Sequence, residues 1–313
     1  MSYYHDKSGI KKWNEADAEA MKLYFAGTAK EAVGVENRLQ SYHAGAACTK
    51  EINERAGMGL KIFLDSGAFS AFTKGVQIDV DTYISYINER DEHLDCYAQL
   101  DTIPGEPGKP KTRQQLLEAP EKSWENYLYM RERVKSVDKL IPVFHRGSDW
   151  KHLERILNFE PKIQYMAFGA LVGAAPAERE VWIEQAFKVI KASKNPDIKV
   201  HAFGMTSLSL LEQFPFYSAD STSWIMTAAS GGIMTKYGVL TISENKKKLP
   251  EHILNMPAAF QQELADYVAS FGFDLKTLSQ DYKERFNMNI AYLTNWAANY
   301  EYKPKKTKQN KLF

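Results

Sequence analysis

Cysteine is nearly absent from this sequence: 313 residues contain two, Cys48 and Cys96, far apart and outside any C-x-x-C spacing. That excludes a disulfide framework and a cysteine-based zinc site, and it fits a reducing compartment. An excess of charge of either sign is also missing, since 40 Lys and Arg stand against 39 Asp and Glu. Any affinity for nucleic acid therefore has to be local. No apolar run approaches the roughly 18 residues of a membrane span, and Met1 to Glu15 mixes charged and aromatic residues without the apolar stretch of a secretion signal. A soluble, cytoplasmic protein with no membrane partner is expected. There is no G-x-G-x-x-G after a first strand to suggest a dinucleotide fold, and no repeat at a solenoid period.

What is present is an ordinary globular composition, 44% hydrophobic and 12% aromatic, at a length that suits one α/β barrel with a terminal extension. Short strand-like runs recur at Met21–Ala26, more weakly at Arg38–His43, and at Lys61–Leu64, Cys96–Leu100, Leu140–Phe144, Tyr165–Phe168, Lys199–Phe203 and Phe214–Tyr217. Between them, helical spacing predicts helices over 79–90, 113–137, 150–157, 178–193 and 208–213. About eight strands, most followed by a helix, predict a (β/α)8 TIM barrel rather than an open doubly wound sheet. The barrel is expected over 1–245. A C-terminal helical extension follows over 246–302, with helices near 257–271 and 275–300, and a flexible basic tail over 303–313.

In such a barrel, side chains at the C-terminal ends of strands face the active site. Chemistry-bearing residues gather at those positions: Asp65-Ser66-Gly67-Ala68-Phe69, then Asp101, His145-Arg146-Gly147, Gly169-Ala170-Leu171-Val172-Gly173, His201-Ala202-Phe203-Gly204-Met205 and Ser218-Ala219-Asp220-Ser221. Each also has a plainer reading. Asp220 or Ser221 would serve as the cap of a helix starting near Trp224; Phe69 and Phe203 would serve as core; Gly169 would serve as a turn. A lone histidine such as His145 is as readily structural as functional.

Taken together and in this order, the stretches resemble the tRNA-guanine transglycosylase superfamily over roughly residues 20–245. Its sharpest part is the trio Asp65, Asp101 and Asp220 at strand ends. The resemblance implies exchange of guanine in a polynucleotide for a 7-deazaguanine such as preQ0 or preQ1, without backbone cleavage and without a cofactor. Asp220 matches the nucleophile that forms a covalent glycosyl intermediate at C1′, and Asp65 the general acid and base. Asp101 matches the carboxylate that reads the ring N–H and amino group of the base. Phe69 and Phe203 match the positions that sandwich it, and Gly169, Ala170 and Gly204 lie in the turns that contact it. The chemistry is coherent by itself, because a carboxylate that attacks an oxocarbenium-like carbon divides one difficult displacement into two easier ones.

The sequence departs from that pattern in two places. The family's zinc site uses closely spaced cysteines after the nucleophile, and none occurs here, so no metal is expected. The fifth strand end carries His145 beside Arg146 where the family has a glutamine, which leaves selectivity for the incoming base open. The zinc-less form and the lysine-rich tail look more like the DpdA-type DNA transglycosylases of phages and bacteria than the tRNA enzymes. DNA is accordingly the expected polymer partner, with tRNA the alternative and the free 7-deazaguanine base the second substrate. Lys246, Lys247, Lys248, Lys305 and Lys306 would contact phosphates or else form a solvated face. A non-catalytic nucleic-acid-binding homologue and an unrelated barrel glycosidase are the remaining readings.

Overall fold

A computed structural model of the chain describes residues 21–27, 29–205 and 207–303. Nine parallel strand segments form one sheet: β1 Lys22–Ala26, β2 Arg38–Ser41, β3 Ile62–Asp65, β4 Leu94–Ala98, β5 Leu140–Ile141, β6 Val143–His145, β7 Tyr165–Gly169, β8 Lys199–Ala202 and β9 Ser218–Ser221. Their order is β5-β4-β3-β2-β1-β9-β8-β7-β6, so the sheet begins and ends on two segments separated by Pro142 alone. Proline has no N–H to give a ladder, yet its carbonyl accepts from Ala167 N at 2.9 Å, while Ile141 O accepts from Gln99 N at 2.9 Å. One strand bent at Pro142 thus pairs with β4 below the bend and β7 above it, and eight strands close the barrel, as the spacing predicts.

Alternation along the strands builds two cores. Leu23, Phe25, Ile62, Leu64, Met166 and Phe168 point outward into the layer between strands and helices. Tyr24, Phe63, Cys96, Ile141, Val143 and Ala167 point inward and fill the barrel. The period of two carries this pattern to the strand ends, where Asp65, His145 and Gly169 lie two residues beyond inward Phe63, Val143 and Ala167. The top inward layer is therefore polar, above an apolar floor.

The helices include α1 Ala46–Ala56, α2 Ala68–Thr73, α3 Val80–Arg90, α4 Arg113–Arg131, α5 Trp150–Leu157, α6 Pro176–Ala192, α7 Leu208–Gln213 and α8 Ser223–Ala229. Caps explain several boundaries. Asp79 accepts from Thr82 N at 2.8 Å, Thr112 and Gln115 form a capping box, and Asp149 accepts from Lys151 N at 3.0 Å. Four expectations need correction. The last strand is not Phe214–Tyr217 but Ser218–Ser221, so Asp220 sits on the strand itself and caps nothing; its inward polar side chains disguise it as a loop. The helix expected over 113–137 ends at Arg131, after which Val134 turns into the core. The stretch over 275–300 is divided where Asp281 caps a new helix by accepting from Lys283 N at 2.8 Å. Helices α1 and α2 were not anticipated, because their small residues lack a clear apolar period.

Beyond α8, β10 Gly232–Thr235 and β11 Gly238–Thr241 form an antiparallel hairpin. It packs with α9 Ala258–Ala269, α10 Leu275–Gln280 and α11 Tyr282–Ala298 around Ile233, Ile242, Leu264, Val268 and Met288. Helix α11 also serves the barrel, where it buries Phe286, Ile290 and Leu293. Buried Asn289 joins the parts: it accepts from Met234 N at 2.7 Å and donates to Trp224 O at 3.0 Å. The basic tail expected over 303–313 lies, beyond Lys303, outside the described residues. Among the described residues no helix is long and apolar enough to cross a membrane.

Candidate active site

Asp220 occupies the inward face of β9, two residues after Ser218 and level with Tyr24 of β1. Its side chain is only 9% exposed. Two donors converge on one oxygen: Gly204 N–H reaches Oδ1 at 2.7 Å and His201 Nε2 reaches the same Oδ1 at 3.2 Å. Gly204 can present its N–H this way because it holds φ +64°, and a Cβ there would come within 2.6 Å of Val172 Cγ2. His201, fully buried, meets Ser218 Oγ at 2.7 Å through Nδ1, and Ser218 Oγ meets the Tyr165 hydroxyl at 2.6 Å. Burial lowers the His201 imidazole below its ordinary range, although Asp220 pulls the other way.

Asp65 ends β3 on the same inner face. Gly67 N–H donates to its Oδ2 at 3.0 Å, and Gly67 has to be glycine: at φ +73° a Cβ would lie 2.3 Å from Ser41 Oγ and 2.5 Å from His43 Cβ. Burial pushes the Asp65 carboxyl up to about 7, with the charges of Asp220 and then Asp101 adding to the effect and the Gly67 and Ser66 amides opposing it. The three carboxylates, far apart in sequence, therefore share one electrostatic space.

Asp101 lies just past β4. Its Oδ1 accepts from Gln99 Nε2 at 2.7 Å, and its Oδ2 pairs with His145 Nε2 at 3.0 Å. Burial would depress His145, but the Asp101 carboxylate, by charge and hydrogen bond, outweighs it and raises the imidazole. Gly169, level with His145 across β6 and β7, leaves room for the ring: a Cβ would sit 2.5 Å from His145 Cδ2. His145 is thus joined to the carboxylate cluster rather than isolated. Ala170, next in the chain, is the one non-glycine residue with positive φ among the described residues, at +56°. Strain of this kind concentrates at functional sites.

The aromatic pair is split. Phe203 continues the inward face of β8 and packs on His201 at 4.6 Å and Phe63 at 5.6 Å between ring centroids. Phe69, on the short α2, is 67% exposed and makes no ring contact with Phe203. Lys246 is half-buried, its methylenes near Gly231, and Lys247 and Lys248 are exposed; none joins the bonds of the carboxylate cluster. Lys305 and Lys306 lie outside the described residues. A small cleft between α4 and α5 touches Gln99 and His145 but none of the three aspartates. Among the described residues no group of three or more His, Cys, Asp or Glu is arranged to hold a metal.

Sequence reading missed Gln99, Tyr165, Ser218 and the role of His201. For Tyr165, Ser218 and His201 the signal was present as a polar residue at an inward strand position, for example His201 between the outward Val200 and Ala202; Gln99, just past β4, carries no such signal. No protein-family model matches the chain, and no curated protein matches it. Chemically, the arrangement offers a carboxylate with one oxygen tied and one open, a carboxyl that exchanges its proton near neutral pH, and a carboxylate–imidazole pair beside a half-open aromatic face.

Proposed function

We propose that the chain is a guanine transglycosylase, a pentosyltransferase that exchanges guanine in DNA for a 7-deazaguanine of the preQ0 or preQ1 kind. The observation that carries this reading is the division of labour between Asp220 and Asp65: one carboxyl group accepts two N–H donors on a single oxygen, and the other is pushed up to about 7. In the first step an Asp220 oxygen bonds to C1′ as the glycosidic C1′–N bond breaks. The bond's electron pair leaves with guanine, and the Asp65 carboxyl protonates the departing base. In the second step Asp65 takes a proton from the incoming base, whose nitrogen attacks C1′ and frees Asp220. Atoms and charge balance, and the enzyme returns to its starting state.

Asp101 would read the donor edge of the base, with its second lone pairs free beyond the bonds from Gln99 and His145. His145, a donor in place of an amide, would face the carbonyl edge. Phe203, with Phe69 from the rim, would clasp the flat base. The preference for DNA rests on the resemblance to the DNA-modifying branch and on the lysine runs, and the reaction would take place in the cytoplasm, that of the host if a phage encodes the protein. A duplex substrate would require the target guanosine to be flipped out of the stack, at a few kcal/mol.

The test offers isotopically labelled guanine and preQ0 to duplex DNA, single-stranded DNA and tRNA. Label entering DNA supports the proposal. Label entering tRNA alone transfers the activity to the tRNA branch, and no label in any polymer from a folded protein rejects base exchange.

A further inference from the structure

The Asp220 carboxylate does not stand alone on its strand. Behind it, inside the barrel, run three polar side chains from three neighbouring strands: His201 on β8, Ser218 on β9 and Tyr165 on β7. Interior barrel positions of this kind are ordinarily filled with branched apolar residues, and burying this chain of polar groups is costly unless every bond is made. Every bond is made. With the His201 imidazole neutral, as its burial favours, counting donors gives the direction of each. An ionised carboxylate only accepts, so His201 Nε2 carries the proton toward Asp220. The neutral imidazole then presents Nδ1 as an acceptor, so the Ser218 hydroxyl donates to Nδ1 and its oxygen accepts from Tyr165.

Both donors to Asp220, from His201 and from Gly204, end on Oδ1. Among the described residues no hydrogen bond is made to Oδ2, so Oδ2 is the open oxygen. His201 has no exposed surface, so it cannot touch a substrate and acts only through the carboxylate.

We infer that His201, locked as its Nε2–H tautomer by Ser218 and Tyr165, is a positioning residue that ties Oδ1 of Asp220 and aims Oδ2 at the anomeric carbon. The catalytic half of this inference rests on the transglycosylase reading; the tautomer and the bonding do not. A residue that aims a nucleophile acts in the transition state more than in substrate binding, so its loss lowers kcat and leaves KM nearly unchanged. Ser218 acts only through His201, so its effect disappears once His201 is gone.

The experiment has two arms on the full-length protein. In the first, ¹⁵N NMR of histidine-labelled wild type reads the tautomer: a protonated Nε2 and an unprotonated Nδ1 for His201 are expected, and an Nδ1–H tautomer or an imidazolium near neutral pH overturns the inference. In the second, base exchange is measured for His201→Leu, His201→Gln, Ser218→Ala and the Ser218→Ala/His201→Leu pair, each checked for folding by circular dichroism. His201→Leu is expected to lose on the order of 10- to 100-fold in kcat, the range for residues that support a reacting group. His201→Gln, whose amide N–H reaches toward the same oxygen, is expected to recover most of it, and the pair to be no worse than His201→Leu alone. Wild-type kcat in His201→Leu, or a loss confined to KM, overturns the positioning role while leaving the transglycosylase reading intact. Absence of exchange in the wild type instead rejects that reading, and the NMR arm still decides the tautomer.

Discussion

Replacing Asp65 by asparagine should make the protein more stable while removing the proposed base exchange, and the gain should grow with pH. Asp65 titrates near 7 in the folded protein against an ordinary value of 3.8. Between those values the folded state holds a proton that the unfolded chain has released, so stability falls as pH rises from about 4 to 7 and is then constant. Raising a carboxyl group that far costs on the order of 4 kcal/mol at full ionisation, of which about 1 to 2 kcal/mol is already incurred at pH 5. Asparagine carries no charge, and its Oδ1 can still accept from Gly67 N–H, as Asp65 Oδ2 does at 3.0 Å. Urea unfolding of both proteins at pH 5 and pH 8.5 isolates the effect. The advantage of Asp65→Asn should be larger by about 2–3 kcal/mol at the higher pH. An advantage that stays constant to within ~0.5 kcal/mol, the usual scatter of such comparisons, would refute the picture of an Asp65 carboxyl raised by burial and by the neighbouring charges of Asp220 and Asp101.

Three further outcomes are expected. Asp101→Asn removes the charge that lifts His145, so burial acts unopposed and the imidazole, above 6.5 in the wild type, should titrate below it by NMR. Gly169→Ala places a Cβ 2.5 Å from His145 Cδ2, which should displace the ring, cost about 1–3 kcal/mol in urea unfolding and abolish label incorporation. Ala170→Gly relieves a left-handed backbone at φ +56°; stability should rise by up to about 1 kcal/mol, net of glycine's greater freedom in the unfolded chain, with a shifted urea midpoint as the readout.

The barrel is legible in the sequence because most of its strands lie in largely apolar runs, buried on both faces as parallel strands are, although β2, Arg38–Ser41, buries Arg38 and Gln40 and gives only a weak signal. The eighth is hidden because Ser218 and Asp220 face inward, and their polarity is satisfied only by His201, Tyr165 and Gly204, residues that a linear reading does not bring near. The same reason hides Gln99, whose partner Asp101 is close in sequence but whose burial depends on the fold. Asp65, Asp101 and Asp220 are legible as strand-end residues, whereas their mutual influence on Asp65 arises only from closure of the barrel at Pro142. Helix α1 escapes notice because its buried face is held by ions as much as by apolar contact: Glu51 binds Arg38 at 2.5 Å, and Arg55 donates to Val33 O at 2.6 Å and Val35 O at 2.7 Å.

The most direct test of the central claim is to capture the covalent intermediate. The protein is incubated with guanine-containing DNA, denatured and separated, and any DNA-bearing protein is digested and sequenced by mass spectrometry. The account predicts an alkali-labile adduct on the peptide that contains Asp220, formed by the wild type and absent from Asp220→Ala. Base exchange that persists in Asp220→Ala, or an adduct that maps to another residue, would contradict it.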